Sequence, residues 1–418
     1  MSAQTRPPVR PGETVAMRIV IAPDSFKGSL MAWDVAAAIA CGARAALPGV
    51  EVRELPLGDG GEGTARAIAQ VVPGAEMIQT TALDPLGRTR QAEFALLPGG
   101  KAVVEMAAAT GLGLLTPEER NPLHTDSRGT GQLIIGALDY LHGPAAVATG
   151  CEPTGGRPEL ILGVGGSATV DGGVGMLTAL GVRFFDREGQ EITAYGGLVL
   201  GEIAACDPSG LDGRLQRTTL TLASDVGNPL LGADGAAAVF GPQKGAGPAQ
   251  VELLEMGLAN LREVLRRDCG VAIDGFPGAG AAGGIGGVAV GVLGAAFRPG
   301  IEIVLELMAM EEHLGWADLV ITGEGRFDEQ TLRGKAAHGI AVVAARAQVP
   351  VCVLSGQVVT EAEWRLPGEV VAFAIADGPL DPGDSEARVS ELLERAARRV
   401  VRLFWLGSRS GRPKERAQ

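Results

Sequence analysis

Aromatic side chains are scarce in this 418-residue sequence, at 4% of the total. Ala, Val, Leu and Gly supply the bulk instead, which suits close packing of helices on sheets. Positive charge is short as well. Against 49 Asp and Glu stand 36 Lys and Arg, for a net charge of −13, and no long basic run occurs. A nucleic-acid partner, whose phosphates need a Lys/Arg stripe, is disfavoured, and any anionic substrate must be met by a local positive site. The 5 cysteines (Cys41, Cys151, Cys206, Cys269, Cys352) contain no C-x-x-C pair. That argues against a disulfide framework and a zinc site, and a reducing cytosol is the simplest setting. No apolar run reaches the roughly 18 residues of a membrane span. The first residues, MSAQTRPPVRPGETVA, also lack the apolar stretch of a signal peptide. They read as a disordered leader, 1–16, with Met17 a candidate true start.

What is abundant is glycine, 63 residues, with 25 prolines. The sum stays below the roughly 25–30% of low-complexity chains. With 46% apolar residues the protein is globular and rich in tight turns. Its length points to two domains, or three. Met17 to Ala22 is a short apolar run, MAWDVAAAIACGARAAL reads as a helix, and Val50 to Leu55 is strand-like again. That is a βαβ unit and hence a parallel sheet. From Ala75 to Met106 three β-like runs are separated by DPLG and PGG turns, as in antiparallel hairpins. A helix near Gly131–Leu141, strands at 159–164 and 219–223 and a polar helix at 248–267 follow. The βα rhythm then returns at 318–322, 349–355 and 369–376, closing with a helix at 385–404. The economical fold is α/β with a doubly wound, flavodoxin- or Rossmann-like parallel-sheet domain from 17–78 plus 286–404. A mixed α/β domain, 79–285, is inserted into it, and residues 405–418 form a basic tail.

Several strand-to-helix loops could carry chemistry. Pro23–Ser29 (PDSFKGS) joins Lys27 and Gly28 to hydroxyls at a sheet's carboxyl edge, which suits an anion; the alternative is a turn and N-cap built by Asp24 and Ser29. Gly58–Thr64 (GDGGEGT) lets the backbone turn through positive φ, while Asp59 and Glu62 suit Mg²⁺ or a hydroxyl proton; a tight turn with incidental acids is the alternative. In Gly163–Gly173 (GVGGSATVDGG), successive amides with Ser167 and Thr169 form a phosphate nest near Asp171, although close helix–strand packing also asks for glycine. Gly278–Gly283 spells G-x-G-x-x-G with Glu302 further on, but no convincing strand precedes it, so a hinge or close-packed loop between domains is the better reading. Thr322–Asp328 (TGEGRFD) and Gln330–Lys335 (QTLRGK) put an acid pair, a hydroxyl and cations into one loop, as a site for phosphate and metal would. No Walker A loop, paired His/Cys spacing or G-x-S-x-G elbow occurs, and His338 reads as a surface or capping residue.

Taken together, APDSFKGSL (22–30), PLGDGGEGT (56–64), GVGGSATVDGG (163–173), ASDVGNPLLG (223–232) with GAAAVFGPQKG (235–245), GAGAAGGIGG (278–287) and ITGEGRFDEQTLRGK (321–335) closely resemble the bacterial glycerate kinase family. The resemblance runs from about Met17 to Phe404. It implies ATP-dependent phosphorylation of D-glycerate, with 2-phosphoglycerate favoured over 3-phosphoglycerate, and an active site in the cleft between two α/β domains. ATP as substrate, Mg²⁺, a cytoplasmic enzyme of organic-acid catabolism and, on base rates, a homodimer complete the expectation. On this reading Asp171, Lys27 and Asp59 are catalytic, while Ser25, Asp225, Asn228 and Glu62 bind substrate. Gly165, Gly166, Ser167, Lys335 and Thr331 hold phosphate, and Glu324 and Asp328 hold the metal. The rivals are a nicotinamide-dependent hydroxy-acid oxidoreductase, resting on Gly278–Gly283, and a non-catalytic organic-acid binder.

Overall fold

The computed structural model describes residues 17–26, 28–58, 60–143, 156–329, 331–333, 335–359, 365–378 and 387–410. Along the chain come β1 (Arg18–Ile21), α1 (Ala32–Ala46), β2 (Glu51–Glu54), α2 (Thr64–Val71), β3 (Glu76–Leu83), β4 (Thr89–Leu97), β5 (Lys101–Glu105), α3 (Ala107–Thr110) and α4 (Arg128–His142). There follow β6 (Glu159–Gly163), α5 (Val174–Ala179), β7 (Arg183–Phe185), β8 (Ala205–Asp207), β9 (Thr219–Ala223), α6 (Ala236–Phe240), α7 (Pro248–Asp268), α8 (Ile285–Gly291), β10 (Ala296–Arg298) and α9 (Gly300–Leu307). The chain closes with α10 (Met310–Trp316), β11 (Leu319–Phe327), α11 (Ala336–Ala347), β12 (Val351–Val358), β13 (Val370–Ala374) and α12 (Val389–Ser410).

Two compact units result. The first combines the chain up to Pro56 with Ala309–Leu332 and everything from Ala336 onward; the second is Leu57–Met308 with Arg333–Lys335. The divisions therefore fall at Pro56/Leu57 and Met308/Ala309, where 78/79 and 285/286 were expected. The reason is local pairing: β3 hydrogen-bonds β4 along its whole length, β10 pairs with β9, and α2 lies against β4.

The first unit holds a five-stranded, wholly parallel sheet in the order β13-β12-β11-β1-β2. Read in chain order this is the 2-1-3-4-5 arrangement of doubly wound folds, whose direction reverses between β1 and β11. α1 and α12 pack on one face over Ile19, Ile21, Ile321 and Leu354, all fully buried. The two helices come so close at Gly42 that a Cβ there would lie 2.1 Å from the Glu394 carbonyl oxygen. An alanine-rich α1 is what permits this. Two expected boundaries move. β11 continues to Phe327 instead of ending near Thr322, because β12 pairs with it to Val358, so TGEGRF is strand and not loop. The last helix runs on to Ser410, six residues into what was expected to be tail, and the remainder lies outside the described residues.

The second unit holds a six-stranded mixed sheet, β10-β9-β6-β5-β4-β3. β5, β6, β9 and β10 run parallel, while β3-β4-β5 is an antiparallel meander, as the turn signals predict. The glycine run 278–287 belongs to the interior of this unit and is no hinge. A Cβ on Gly280 would meet the Pro229 carbonyl at 2.1 Å, and one on Gly283 the Thr169 carbonyl at 2.1 Å. No strand leads into it, and Ala281–Gly284 is a short 3₁₀ turn, so the dinucleotide fingerprint lacks its context.

Candidate active-site residues in each unit

In the first unit the reversal point gathers the carboxyl ends of β1, β11 and β12. Thr322 Oγ1 donates to the Ala22 carbonyl at 2.7 Å, and the Asp24 amide donates to the Gly323 carbonyl at 2.8 Å, so Pro23–Phe26 stays alongside β11. Ser25 is half-buried, its amide donating to Asp24 Oδ1 at 2.6 Å. Glu324 is buried on β11 and accepts from Thr331 Oγ1 at 2.8 Å; that hydroxyl in turn accepts from the Asp328 amide at 3.2 Å. Asp328 pairs with Arg326 at 3.1 Å. Thr331, expected to hold phosphate, is fully buried and orients Glu324 instead. Of the three residues expected to be catalytic, Lys27 and Asp59 lie outside the described residues.

In the second unit the loops after β5, β6 and β9 converge with the one before α2. Backbone meets backbone here. A Cβ on Gly163 would lie 2.5 Å from the Gly60 carbonyl oxygen, one on Gly165 would lie 2.6 Å from Gly61 Cα, and the Gly165 amide donates to the Gly60 carbonyl at 3.2 Å. Gly165 is thus a packing glycine whose amide is already committed, which removes it from the expected phosphate cradle. Gly166 and Ser167 differ. Gly166 is exposed and sits at φ +73° in a tight turn with Gly165, and among the described residues its amide has no acceptor. An exposed N–H group without an acceptor at a left-handed glycine is one element of an oxyanion nest, and the Ser167 hydroxyl beside it is another donor. Glu62 is exposed beside Gly113, and Lys335 is half-buried.

Asp171, expected to be catalytic, is fully buried. Its Oδ2 accepts from the Ser127 amide at 2.8 Å, the Ser127 hydroxyl at 2.7 Å and the Gly175 amide at 3.2 Å, and its Oδ1 accepts from the Gly173 amide at 3.1 Å. Burial pushes its carboxyl above the usual carboxylate range despite these donors. Every contact points inward, so Asp171 brackets the starts of α4 and α5. Asp225 and Asn228 are likewise bound into the fold. Asp225 Oδ1 accepts from the Gly300 amide at 2.8 Å, and Asn228 Nδ2 donates to the Asp234 carbonyl at 2.8 Å.

Two residues that the sequence reading did not single out lie here. Glu105, at the end of β5, is buried and accepts from the amides of Gly63, at 3.0 Å, and Ala65. Burial raises its carboxyl to about 7, partly offset by those two donors. Lys244 is 2% exposed, and its Nζ donates at 2.7 Å to both Ser167 Oγ and the Thr169 carbonyl. Burial pulls its ammonium down to about 7, against the field of Asp171. The available signal for Lys244 was a lone charge in the otherwise uncharged segment GAAAVFGPQKG. Among the described residues no group of three or more His, Cys, Asp and Glu could hold a metal ion, and no helix is long and apolar enough to cross a membrane.

Comparison with known proteins bears on both units. The family model for the glycerate kinase family matches residues 19–405. The chain is 42% identical over 387 residues to the glycerate kinase of Bacillus subtilis, covering 92% of this chain and 97% of that one. With the glycerate 2-kinase of Escherichia coli it shares 44% over 341 residues, or 81% of this chain and 85% of that one. A crystal structure of a candidate glycerate kinase 2 from Salmonella typhimurium LT2 superposes with a TM-score of 0.76 at 41% identity, covering 94% of this chain and 99% of that one.

Proposed function

The chain belongs to the glycerate kinase family, and from that premise we propose that it transfers the terminal phosphoryl group of ATP to D-glycerate, giving ADP and 2-phosphoglycerate. The observation that carries this reading is the 44% identity to a glycerate 2-kinase over 341 residues, 81% of this chain.

Phosphoryl transfer through a loose transition state asks the protein mainly to align the reacting oxygens and neutralise the charge on the transferred group. The exposed amide of Gly166 and the hydroxyl of Ser167 suit an oxyanion of either substrate. Ser25, Glu62, Asp225 and Asn228 remain our candidates for the glycerate hydroxyls and carboxylate, and Lys335 for phosphate. Lys27 and Asp59 stay catalytic candidates. Asp171 we now assign to positioning, since its carboxylate is closed in by four donors.

Glu324 and Asp328 are hard oxygen donors, and Thr331 fixes the first of them. They fit a nucleotide-borne Mg²⁺, which takes one or two protein carboxylates and keeps phosphate and water for its other positions. Such a cation neutralises the β- and γ-oxygens when bound. A cytosolic setting agrees with the free thiols of Cys41, Cys206, Cys269 and Cys352.

The test is ADP release on adding D-glycerate and MgATP to the purified protein, with phosphorus NMR of the product. A 2-phosphoglycerate resonance is expected. A 3-phosphoglycerate resonance would correct the regiochemistry, absence of ADP would sink the kinase reading, and an absorbance change at 340 nm with nicotinamide cofactor would revive the oxidoreductase.

A further inference from the structure

Lys244 poses a physical problem. Among the described residues it forms no ion pair; its two hydrogen bonds go to neutral oxygens, Ser167 Oγ and the Thr169 carbonyl. Beside it the fully buried Thr169 has a hydroxyl with no partner. Taking an ammonium out of water costs several kcal/mol, and replacing a buried charge by an apolar side chain of similar size is often neutral or stabilising. Packing alone therefore favours methionine at this position. The lysine is nevertheless held firmly in place. It ends the 3₁₀ turn Pro242–Lys244, and Gly245 behind it, at φ +96°, lies so near the Arg120 carbonyl that a Cβ would be 2.1 Å from its oxygen.

The turn above Lys244 supplies the use for that charge. Because Ser167 Oγ accepts from Nζ, its own hydrogen is free to point away from the lysine, and the neighbouring Gly166 amide has no acceptor among the described residues. The same turn is held at its far end, where Thr125 Oγ1 donates to the Ala168 carbonyl at 2.8 Å and the Ala168 amide donates to the Thr110 carbonyl at 3.0 Å. The result is a rigid, neutral donor surface with the Lys244 amine beneath it, whose positive form an oxyanion on that surface favours. In a site of low dielectric, preorganised donors of this kind act on developing negative charge without having to reorganise.

We infer that Lys244 is a positioning residue for phosphoryl transfer: from beneath the Gly165–Thr169 turn it orients the Ser167 hydroxyl away from itself and supplies the charge that helps hold a substrate oxyanion on that hydroxyl and the Gly166 amide. The inference rests on the proposed reading that this turn receives such an oxyanion. The oxyanion is a phosphate of ATP or the carboxylate of glycerate, and the arms of the test separate the two.

Lys244→Met and Ser167→Ala are compared with the unaltered protein by thermal unfolding, by KM for ATP and D-glycerate separately, by kcat, and by the stabilisation each substrate confers. Lys244→Met is expected to unfold at the same or a higher temperature while kcat/KM falls about 100-fold or more, the scale of a lost oxyanion donor. Ser167→Ala is expected to lose in the same parameter, and the double variant to be no worse than Lys244→Met alone. A rise in KM for ATP assigns the oxyanion to phosphate, a rise in KM for glycerate assigns it to the carboxylate, and a fall in kcat alone assigns it to the phosphoryl group in transit. The inference is overturned if Lys244→Met unfolds at lower temperature yet retains full activity per folded molecule, or if either single variant keeps all kinetic parameters within about threefold, under 1 kcal/mol. Should Lys244→Met fail to fold, Ser167→Ala decides by the same threshold. An unaltered protein without ADP release, but with substrate stabilisation that Lys244→Met abolishes, would sink the proposed function and leave Lys244 as the residue that holds an oxyanion on this turn.

Discussion

Ser127 and Asp171, 44 residues apart, are joined twice: one carboxylate oxygen of Asp171 takes both the Ser127 amide, at 2.8 Å, and the Ser127 hydroxyl, at 2.7 Å. The Ser127 hydroxyl also accepts from the Met176 amide at 2.9 Å, so the starts of α4 and α5 share one buried polar knot.

Asp171→Asn should therefore act on stability first. An amide nitrogen would replace an acceptor among four donors, and leaving buried groups unpaired costs about 1–3 kcal/mol each. A drop of roughly 2–4 kcal/mol in urea unfolding is expected, with activity per folded molecule reduced less than about tenfold. Unchanged stability with a large fall in kcat would return Asp171 to the catalytic role its sequence context suggests.

Glu105 gives a pH dependence with a definite sign. Its carboxyl is raised from 4.5 to about 7 by burial, so its favourable contribution is complete below 4.5 and is lost as pH rises toward 7. Glu105→Gln should remove that slope, and the stability difference between the two proteins, followed by denaturant titration across this window, should shrink as pH rises. Parallel curves would mean that Glu105 ionises without penalty.

Lys244 has the opposite character. With its ammonium lowered from 10.5 to about 7, the unfolded chain binds the extra proton between those values, so stability should rise with pH across that interval. Lys244→Met should lack this rise. An oxyanion settling above the lysine favours the ammonium, so substrate binding near neutral pH should take up a proton, visible as buffer-dependent heat in titration calorimetry.

Cys206 and Cys269 are far apart in sequence, yet their sulfurs lie 3.2 Å apart. Diamide, an azo oxidant, should accept two electrons and two protons from them to become the hydrazine as the S–S bond forms. Burial and the adjacent thiol push Cys206 up, so half-buried Cys269 should be the attacking sulfur and the reaction slow. Peptide mapping should find one internal Cys206–Cys269 link, absent in Cys206→Ser; mapping that recovers both peptides unlinked would refute it.

Much of the architecture was legible along the chain. Alternation of strand and helix signals predicted the parallel sheet of the first unit, and DPLG and PGG punctuated the β3-β4-β5 meander where the structure turns. Both kinds of signal are local, since periodicity and turn chemistry act within a few residues. Strand length was less legible: nothing within TGEGRF says strand, and β11 extends through it because β12 offers partners as far as Val358.

The sequence by itself determined the fold class, the family and the loops around which the chemistry gathers, because motifs of glycine, hydroxyl and acid are contiguous. Only the tertiary structure decided what each group does within those loops. Glycines that looked alike divide into Gly165, pressed against Gly61, and Gly166, exposed and with its amide uncommitted; Asp171 turns into the fold; and Lys244, 77 residues from Ser167, arrives beneath it. Burial and hydrogen-bond partners arise when distant segments pack, and these, rather than the residue type, determine whether a carboxylate or an ammonium faces a substrate or the interior.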